Sequence, residues 1–429
     1  MATSSVIAEI DRTPSRRNRG PNASASKKKQ RNYLLRPAYR QISLPEIYER
    51  SEQELNAFLE RIRWNGLGAG VQACPKCGNI DKHYRCPSIG GWKCKGCAKQ
   101  FTVLSGTRLH GMKMPVKVFL SIAMLFMEAK DGKSSRELGG DHGLDHQTVH
   151  VLTLKIREAL RETMSAEEPL RGYIQADAAY FMKYVRPGNV GTGAALAAKA
   201  VQKNAGLSEE DKPSPVVSAS MHALVVFVQA GPQGKRRYRM GLVKTENQVD
   251  LLTLSQLFCD KDSVLVTDQH SAYNLFSGEF VDLKRVNHNQ EFQTADGVNT
   301  NLAENIFSRI RAAVHGAWHR MSVQNLLEYG WEVAWRQEMV GKNNLFQLED
   351  LLRRLMTSGR PTRFVDYWNK RPEDRRPPKE EIGEIREVPK ADVSKKRGRP
   401  TKGSARPQKP VPAGGKAARV PAEAEARAA

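Results

Sequence analysis

Three carboxylates, Asp177, Asp268 and Glu304, stand where an acidic site can be assembled from distant parts of the chain. Asp177 follows the short β-rich run 173–176 and Asp268 the run 264–267, so each reads as the residue that closes a strand and presents its side chain at a sheet edge. Glu304 belongs to an amphipathic helical stretch. Leu302, Ile306 and Ile310 form its apolar stripe, with Glu304, Ser308 and Arg311 on another face at i, i+4 and i+7. Carboxylate oxygens suit Mg2+, which keeps several waters and shares phosphate oxygens with a substrate. Two such ions about 3.5–4 Å apart activate an attacking oxygen and stabilise a leaving one, and Arg311 would contact a phosphate beside them. Taken singly, each acid has a plain structural reading: a turn cap for Asp177, an Asx-turn before His270 for Asp268, a pair with Arg311 for Glu304.

A second ligand pattern lies upstream. Cys74-Pro-Lys-Cys77 and Cys94-Lys-Gly-Cys97 are separated by sixteen residues, within the spacing of a tetrahedral four-cysteine zinc site. Gly78 and Gly96 would supply the knuckle turns that bring backbone amides to sulfur. Four thiolates leave no open position, so this zinc is structural, and His83 and Cys86 between the pairs read as bystanders. Tyr84, Arg85, Trp92, Lys93, Lys95 and Lys99 interleave aromatic and basic groups, which fits either a DNA-contacting ribbon or ordinary packing.

The elements that position these groups follow from the pattern along the chain. Its 429 residues allow two or three domains, and 68 Lys plus Arg against 46 Asp plus Glu give a formal charge of +22. That balance favours a polyanionic partner. No run approaches the length of a membrane span; the most apolar stretch, 116–127, reads as a buried helix with Pro115 at its first position. No secretory signal is evident, and paired cysteines in such a setting indicate metal rather than disulfides, which places the chain in the cytoplasm.

Residues 1–42 read as a disordered basic arm and 43–110 as a helix and zinc ribbon, with a Ser51/Glu54 capping box and Leu55, Phe58, Leu59 and Ile62 at helical spacing. Residues 111–165 read as helical. Ser134–Leu138 opens a short helix, a Gly-rich break follows, and Asp145 caps a second helix that would turn His146, Gln147, Thr148 and His150 outward, a helix-turn-helix arrangement suited to a major groove. Residues 166–355 hold β-rich runs at 173–176, 223–228, 237–243 and 264–267, a Gly/Ala/Lys/Pro-rich stretch at 186–218, and helix from 301. Residues 356–429 read as a basic, mostly disordered tail.

As an ordered set, strand Asp, strand Asp and helix Glu followed by a basic residue resemble an RNase H-type core: a mixed sheet flanked by helices. The wider pattern resembles a zinc-ribbon DDE transposase of bacterial insertion sequences, the group related to Merlin transposons, over about 74–338. The resemblance is carried by the ribbon and the Ser105-Gly-Thr107 that follows it. It is carried further by Ile174-Gln-Ala-Asp177, Thr267-Asp268 with Tyr273, Asn301-x-x-Glu304 and Gly316-Ala-Trp-His319. Ala178, Asn299 and Phe307 depart from residues usual in the group (Glu, His and Trp).

The resemblance implies that Asp177, Asp268 and Glu304 are catalytic and hold two Mg2+ ions, and that Cys74, Cys77, Cys94 and Cys97 hold Zn2+. It implies that Asn301, Arg311 and His319 contact DNA. Hydrolysis at an element end would free a 3′-OH, which then attacks target DNA with no covalent protein intermediate. A tyrosine recombinase would need Tyr180 or Tyr273 as nucleophile, and no Arg-His-Arg cluster accompanies either. In the tail, Arg397-Gly-Arg399-Pro resembles an AT-hook, whose arginines enter a narrow minor groove. The reading is therefore a transposase acting on double-stranded DNA as a homodimer or larger assembly, associated with the bacterial nucleoid. Its rivals are a decayed or domesticated copy acting as a DNA-binding regulator, and a nuclease that cuts without joining.

Overall fold

The computed structural model describes residues 37–182, 221–286 and 299–369, apart from 66, 68, 69, 82, 232, 233, 320, 323, 324, 366 and 368. The arm before residue 37, the 186–218 stretch and the tail carrying Arg397 and Arg399 lie outside the described residues.

Helix α1 (Leu44–Glu49) leads into α2 (Glu52–Arg63), whose start is fixed by the reciprocal Ser51–Glu54 capping box that the sequence predicts. Its buried face is Leu55, Phe58, Leu59 and Ile62. The ribbon follows as three antiparallel strands, β1 (Tyr84–Cys86), β2 (Gly91–Lys93) and β3 (Gln100–Phe101). Trp92 lies opposite Phe101 and stacks on it at 5.6 Å, with Trp64 of the preceding segment edge-on at 5.3 Å. Trp92 is thus core, whereas Tyr84 is exposed under Lys95.

Helix α3 (Val116–Glu128) is buried along nearly its whole length. Pro115 is its cap residue, one position earlier than expected. A second capping box, Ser134 with Glu137, opens α4 (Ser135–Asp141), and α5 (His146–Ser165) follows. The turn between them is tight: the Leu144 N–H donates to Gly139 O at 2.8 Å, and a Cβ at Gly139 would meet Leu144 O at 2.8 Å. His146, Gln147 and Thr148 are exposed as predicted. His150 is not turned outward; it is half-buried, with its ring 6.3 Å from that of Tyr367.

The central sheet comprises β4 (Tyr173–Met182), β5 (Met221–Ala230), β6 (Arg236–Val243), β7 (Val264–Asp268) and β8 (Asp282–Val286) in the order β6-β5-β4-β7-β8. β5 is antiparallel to β4 and β6, while β7 is parallel to β4 and β8 to β7. On β5, Leu224, Val226 and Val228 face one apolar cluster and Ala223, Val225 and Phe227 the other. An unbroken apolar run is what a strand buried on both faces requires. One face is covered by α6 (Gln248–Phe258) and a 3-10 helix, Ser271–Phe276. The other is covered by α7 (Asn301–Gly316) and α8 (Leu326–Glu338), with α9 (Asn344–Thr357) packed on α2, α3 and α5. The second cluster is continuous from Ile42 through the ribbon, α3 and α5 to Met356, so ribbon, helices and sheet share one core.

Part of the positive charge is internal. Arg108 and Arg157 are fully buried and pair with the equally buried Glu158 and Glu332. Glu158 also accepts from the Arg363 N–H at 2.8 Å and the Thr362 hydroxyl at 2.9 Å, and Arg363 pairs with Glu328. These bonds and the buried Phe364 hold the chain just after α9 against α5, where composition alone reads as loose tail. Removing one partner of such a pair leaves a buried charge uncompensated, at about 3–5 kcal/mol.

Candidate active site and zinc ribbon

Asp177 does not end its strand. β4 continues to Met182 because β5 pairs with it along its whole length, with Asp177 opposite Val226. The strand that ends is the parallel neighbour: β7 stops at Asp268. The β4–β7 register pairs Ile174 with Leu265 and Gln175 with Val266. Carried two residues further, it aligns Asp177 with Asp268. Ile174 and Leu265 both point into the cluster under α6. By the strand alternation of side chains, both aspartates then face the α7 side, about one strand spacing apart.

Glu304 is exposed in the first turn of α7 and accepts a 3.3 Å hydrogen bond from the Thr300 hydroxyl. What brings that turn to the aspartates is Gln175, buried on β4 two residues before Asp177 and on the same face. Its Oε1 accepts from the Leu302 N–H at 2.8 Å, and its Nε2 donates to Asn299 Oδ1 at 3.3 Å. A free N–H at a helix start is thereby satisfied by the strand that carries the first aspartate. Asn299, one of the departures from the family pattern, is part of this clasp. Phe307, another, is buried against the core.

The acids feel one another. The Asp177 carboxyl is pushed up to about 7, first by burial and then by the charges of Asp268, Glu246 and Glu304, against a hydrogen bond from the Ala178 N–H that holds it down. Glu246 is a fourth acid that sequence reasoning missed. It precedes α6, its N–H donates to the Tyr180 hydroxyl at 3.1 Å, and its carboxylate lies 3.7 Å from His270 Nδ1. Burial, above all, raises its pKa, and the Asp268 charge adds to that. The Tyr273 hydroxyl is buried with no hydrogen-bond partner among the described residues, and the charges of Asp177, Asp268 and Glu246 reach it. Neither Asp177 nor Asp268 forms an ion pair among the described residues. An all-oxygen donor set whose members repel one another fits a divalent cation.

Two predicted DNA-contacting residues lie further out. Arg311 is exposed on α7, with its guanidinium 5.7 Å from the centre of the Phe181 ring. His319 follows the far end of α7; from Glu304 to Gly316 the helix rises about 18 Å, so His319 is not brought to the acids. Asn301 is exposed at the helix start, its N–H on Asn299 Oδ1 at 3.2 Å.

The four ribbon cysteines converge, and they are the one group of potential metal ligands among the described residues whose donor atoms all lie within 4.8 Å. Sγ–Sγ separations are 3.7 Å for Cys74–Cys97 and 3.6 Å for Cys77–Cys94. Zn–S bonds of about 2.3 Å in a tetrahedron place sulfurs about 3.8 Å apart. The two knuckles are near-copies: Gly78 N–H donates to Cys74 O at 2.9 Å and Ala98 N–H to Cys94 O at 3.0 Å, both residues left-handed. Gly96 is therefore not the left-handed residue of its knuckle; a Cβ there would lie 2.8 Å from Asn79 Nδ2. The Cys94 thiol is drawn down to about 6, chiefly by the Cys97 N–H, with the Cys77 thiol and the Gly96 N–H adding to it.

Comparison with known families supplies what geometry leaves open. Residues 169–338 match the ISXO2-like transposase domain, and residues 50–100 match the transposase zinc-ribbon domain. The two matches cover more than half of the chain. It belongs to the zinc-ribbon DDE transposases. The matched transposase domain spans all five strands of the sheet together with α7 and α8, and the ribbon match spans α2 to the start of β3. No curated protein matches this transposase.

Proposed function

We propose that the chain is an insertion-sequence transposase that binds element-end DNA and catalyses Mg2+-dependent strand cleavage and strand transfer through Asp177, Asp268 and Glu304. The observation that carries this is the alignment of Asp177 with Asp268 on adjacent parallel strands, with Gln175 tying the Glu304 helix to the same strand. The sheet order, with its second strand antiparallel, supports an RNase H-like core.

Bound between these acids, Mg2+ would supply Lewis acidity toward a phosphodiester and lower the pKa of an attacking hydroxyl. The chain's own residues do the rest. Asp177 and Asp268 provide oxygens from a rigid sheet, and Glu304 provides one from a helix end held by Gln175. Arg311, on the same exposed face of α7, meets a backbone phosphate. No protein nucleophile enters: the Tyr273 hydroxyl is buried and held above its ordinary pKa by burial first and the acids second.

The α4–turn–α5 unit acts as the helix-turn-helix reader, through the exposed His146, Gln147 and Thr148. The ribbon, Asn301 and His319 add contacts, and Arg397 and Arg399 extend them into a minor groove. Holding two element ends together requires at least a dimer, working at the nucleoid.

The test is cleavage and joining of labelled duplex carrying the element's own ends, with Mg2+, by wild type, Asp268→Ala and Glu304→Ala. Loss of both steps in the variants with binding retained supports the triad. A wild type that binds the ends and never cuts them is a regulator instead, and one that cuts without joining is a nuclease.

A further inference from the structure

A cleft of about 610 Å3 lies at the far end of α7 from the acids, lined among others by Lys133, Ser135, Arg136, Arg157, Trp318 and His319. Its chemistry is lopsided toward donors. Glu137 is its one lining acid, and that carboxylate already accepts the Ser134 N–H at 3.0 Å. Two lining side chains carry buried donors with no partner among the described residues: Arg157 Nη1 and Trp318 Nε1. Both residues are nine-tenths buried or more, Arg157 at 1 % and Trp318 at 5 % exposure.

Arg157 is held in place by Glu332 through Nε and by the Tyr329 ring, 3.9 Å from its guanidinium carbon. Its other end therefore cannot easily turn away to find an acceptor. Leaving such a donor unpaired is unfavourable, more so when it is charged, and the ligand that answers it is an anion with several acceptor oxygens. At the rim, Arg136 makes no ion pair among the described residues, while Lys133 is paired with Asp141.

The surface leading to the cleft says which anion. Glu304, Ser308, Arg311 and His315 are all exposed and recur at i, i+4, i+7 and i+11, one straight face of α7. That face runs from the acids to Gly316, which lines the cleft. Its length of about 18 Å matches about five nucleotide steps of duplex at about 3.4 Å each. We propose that the cleft seats one backbone phosphate of the DNA strand that lies along this face, about five nucleotides from the bond held at the acids. The inference rests on the DNA-transposase reading and deepens it: the cleft sets register, and the acids do the chemistry.

The test neutralises phosphates rather than protein. Single methylphosphonate linkages are scanned through a labelled duplex of the element's terminal sequence, and binding is measured for wild type and for Arg136→Ala, whose side chain is exposed. One linkage about five nucleotides from the cut should weaken wild-type binding about tenfold and weaken Arg136→Ala by clearly less, because Arg157 remains in the variant. The salt slope of Arg136→Ala should fall by about one. Wild type that binds the duplex with no linkage distinguishing the two proteins overturns the cleft assignment and leaves the transposase reading standing. Failure of wild type to bind the duplex at all overturns both. In a parallel arm, inorganic phosphate is added to each protein. A thermal shift in wild type alone, with no linkage effect, would make the cleft a site for a free anion and overturn the DNA assignment.

Discussion

The ribbon's cysteines and the three acids both offer metal-type donors, yet they are assembled in opposite ways. The ribbon's four ligands fall within twenty-four residues, and two near-identical knuckles bring their sulfurs to 3.6–3.7 Å. The acids come from positions 177, 268 and 304, and it takes a sheet register, a strand end and the Gln175 clasp to bring them to one face. The ribbon's ligand atoms are already within 4.8 Å of one another, and the acids' are not. In the ribbon, amides stabilise a thiolate; at the acids, burial first and then the neighbouring charges push Asp177 toward its protonated form. A locally built site with its own donors is a structural device. A site built from distant acids that repel one another is costly to the fold, and on the proposed function that cost serves to hold a cation and a phosphate there.

The largest effect expected from this difference is on stability at the ribbon. A structural zinc contributes about 10 kcal/mol or more of apparent binding, and Cys74, Cys94 and Trp92 sit in the shared core. Cys94→Ala should therefore lose one equivalent of zinc and lower the melting temperature of the whole described fold. Zinc content and calorimetry on the same samples check it. A variant that loses zinc and melts like wild type would show that the ribbon is an appendage.

At the acids the pattern should reverse. Asp268→Asn removes a proposed metal-binding oxygen and a like charge together. Strand cleavage should fall by about 10^3-fold or more, several kcal/mol of transition-state stabilisation. The melting temperature in Mg2+-free, zinc-replete buffer should stay level or rise, because a repulsion beside Asp177 is gone. A clear fall in melting temperature would mean that Asp268 supports the fold, and the contrast between the two regions would be lost.

What could be read in the sequence follows the same divide. Cysteine spacing is local, so the zinc ligands, the capping box at Ser51, the helix start at Ser134 and the apolar face of α2 could be read directly. The strand positions could be read too, but not their ends. Ala178, Ala179 and Phe181 continue the apolar character past Asp177, and only β5, paired along the whole length, decides that the strand goes on. β8 was missed because an edge strand reading Asp-Leu-Lys-Arg-Val carries no apolar run. Glu246 sits in a connection with no periodicity, and its closeness to the acids is a product of topology alone. The buried arginines were invisible for a different reason: charge reads as surface unless its partner is known, and Glu158 and Glu332 lie 50 and 175 residues away from Arg108 and Arg157.

Gln175 tests the clasp between the two levels of organisation. Gln175→Leu keeps a buried side chain of similar size but leaves the Leu302 N–H without its acceptor, a loss of about 1–3 kcal/mol. Part of that should appear as looser placement of Glu304. Cleavage should drop about tenfold and need more Mg2+ for half-maximal rate, with zinc content unchanged. Gln175→Glu, which retains the acceptor oxygen, should recover part of the Mg2+ response. Equal activity in Gln175→Leu and wild type would mean that the α7 start is held by other contacts.

The smallest effect separates acid sensitivity of the scaffold from zinc loss. His150, on α5 and close to neither metal-type site, is drawn down to about 4, by burial first and then by the charge of Arg157. Its ordinary value is about 6.5. The unfolded chain therefore takes up this proton at a pH where the folded protein does not. The stabilisation is fully present above about pH 6.5 and is lost as pH falls toward 4. At about pH 5.5 the loss is about 1 kcal/mol. Acid also strips zinc from thiolates, so wild type alone cannot separate the two contributions. His150→Gln cannot take up the proton, and the difference in melting temperature between it and wild type cancels the zinc contribution at each pH. That difference should move in favour of the variant as pH is lowered from about 6.5 to about 4. A difference that stays flat across the window would assign all of the acid sensitivity to the ribbon and its thiolates.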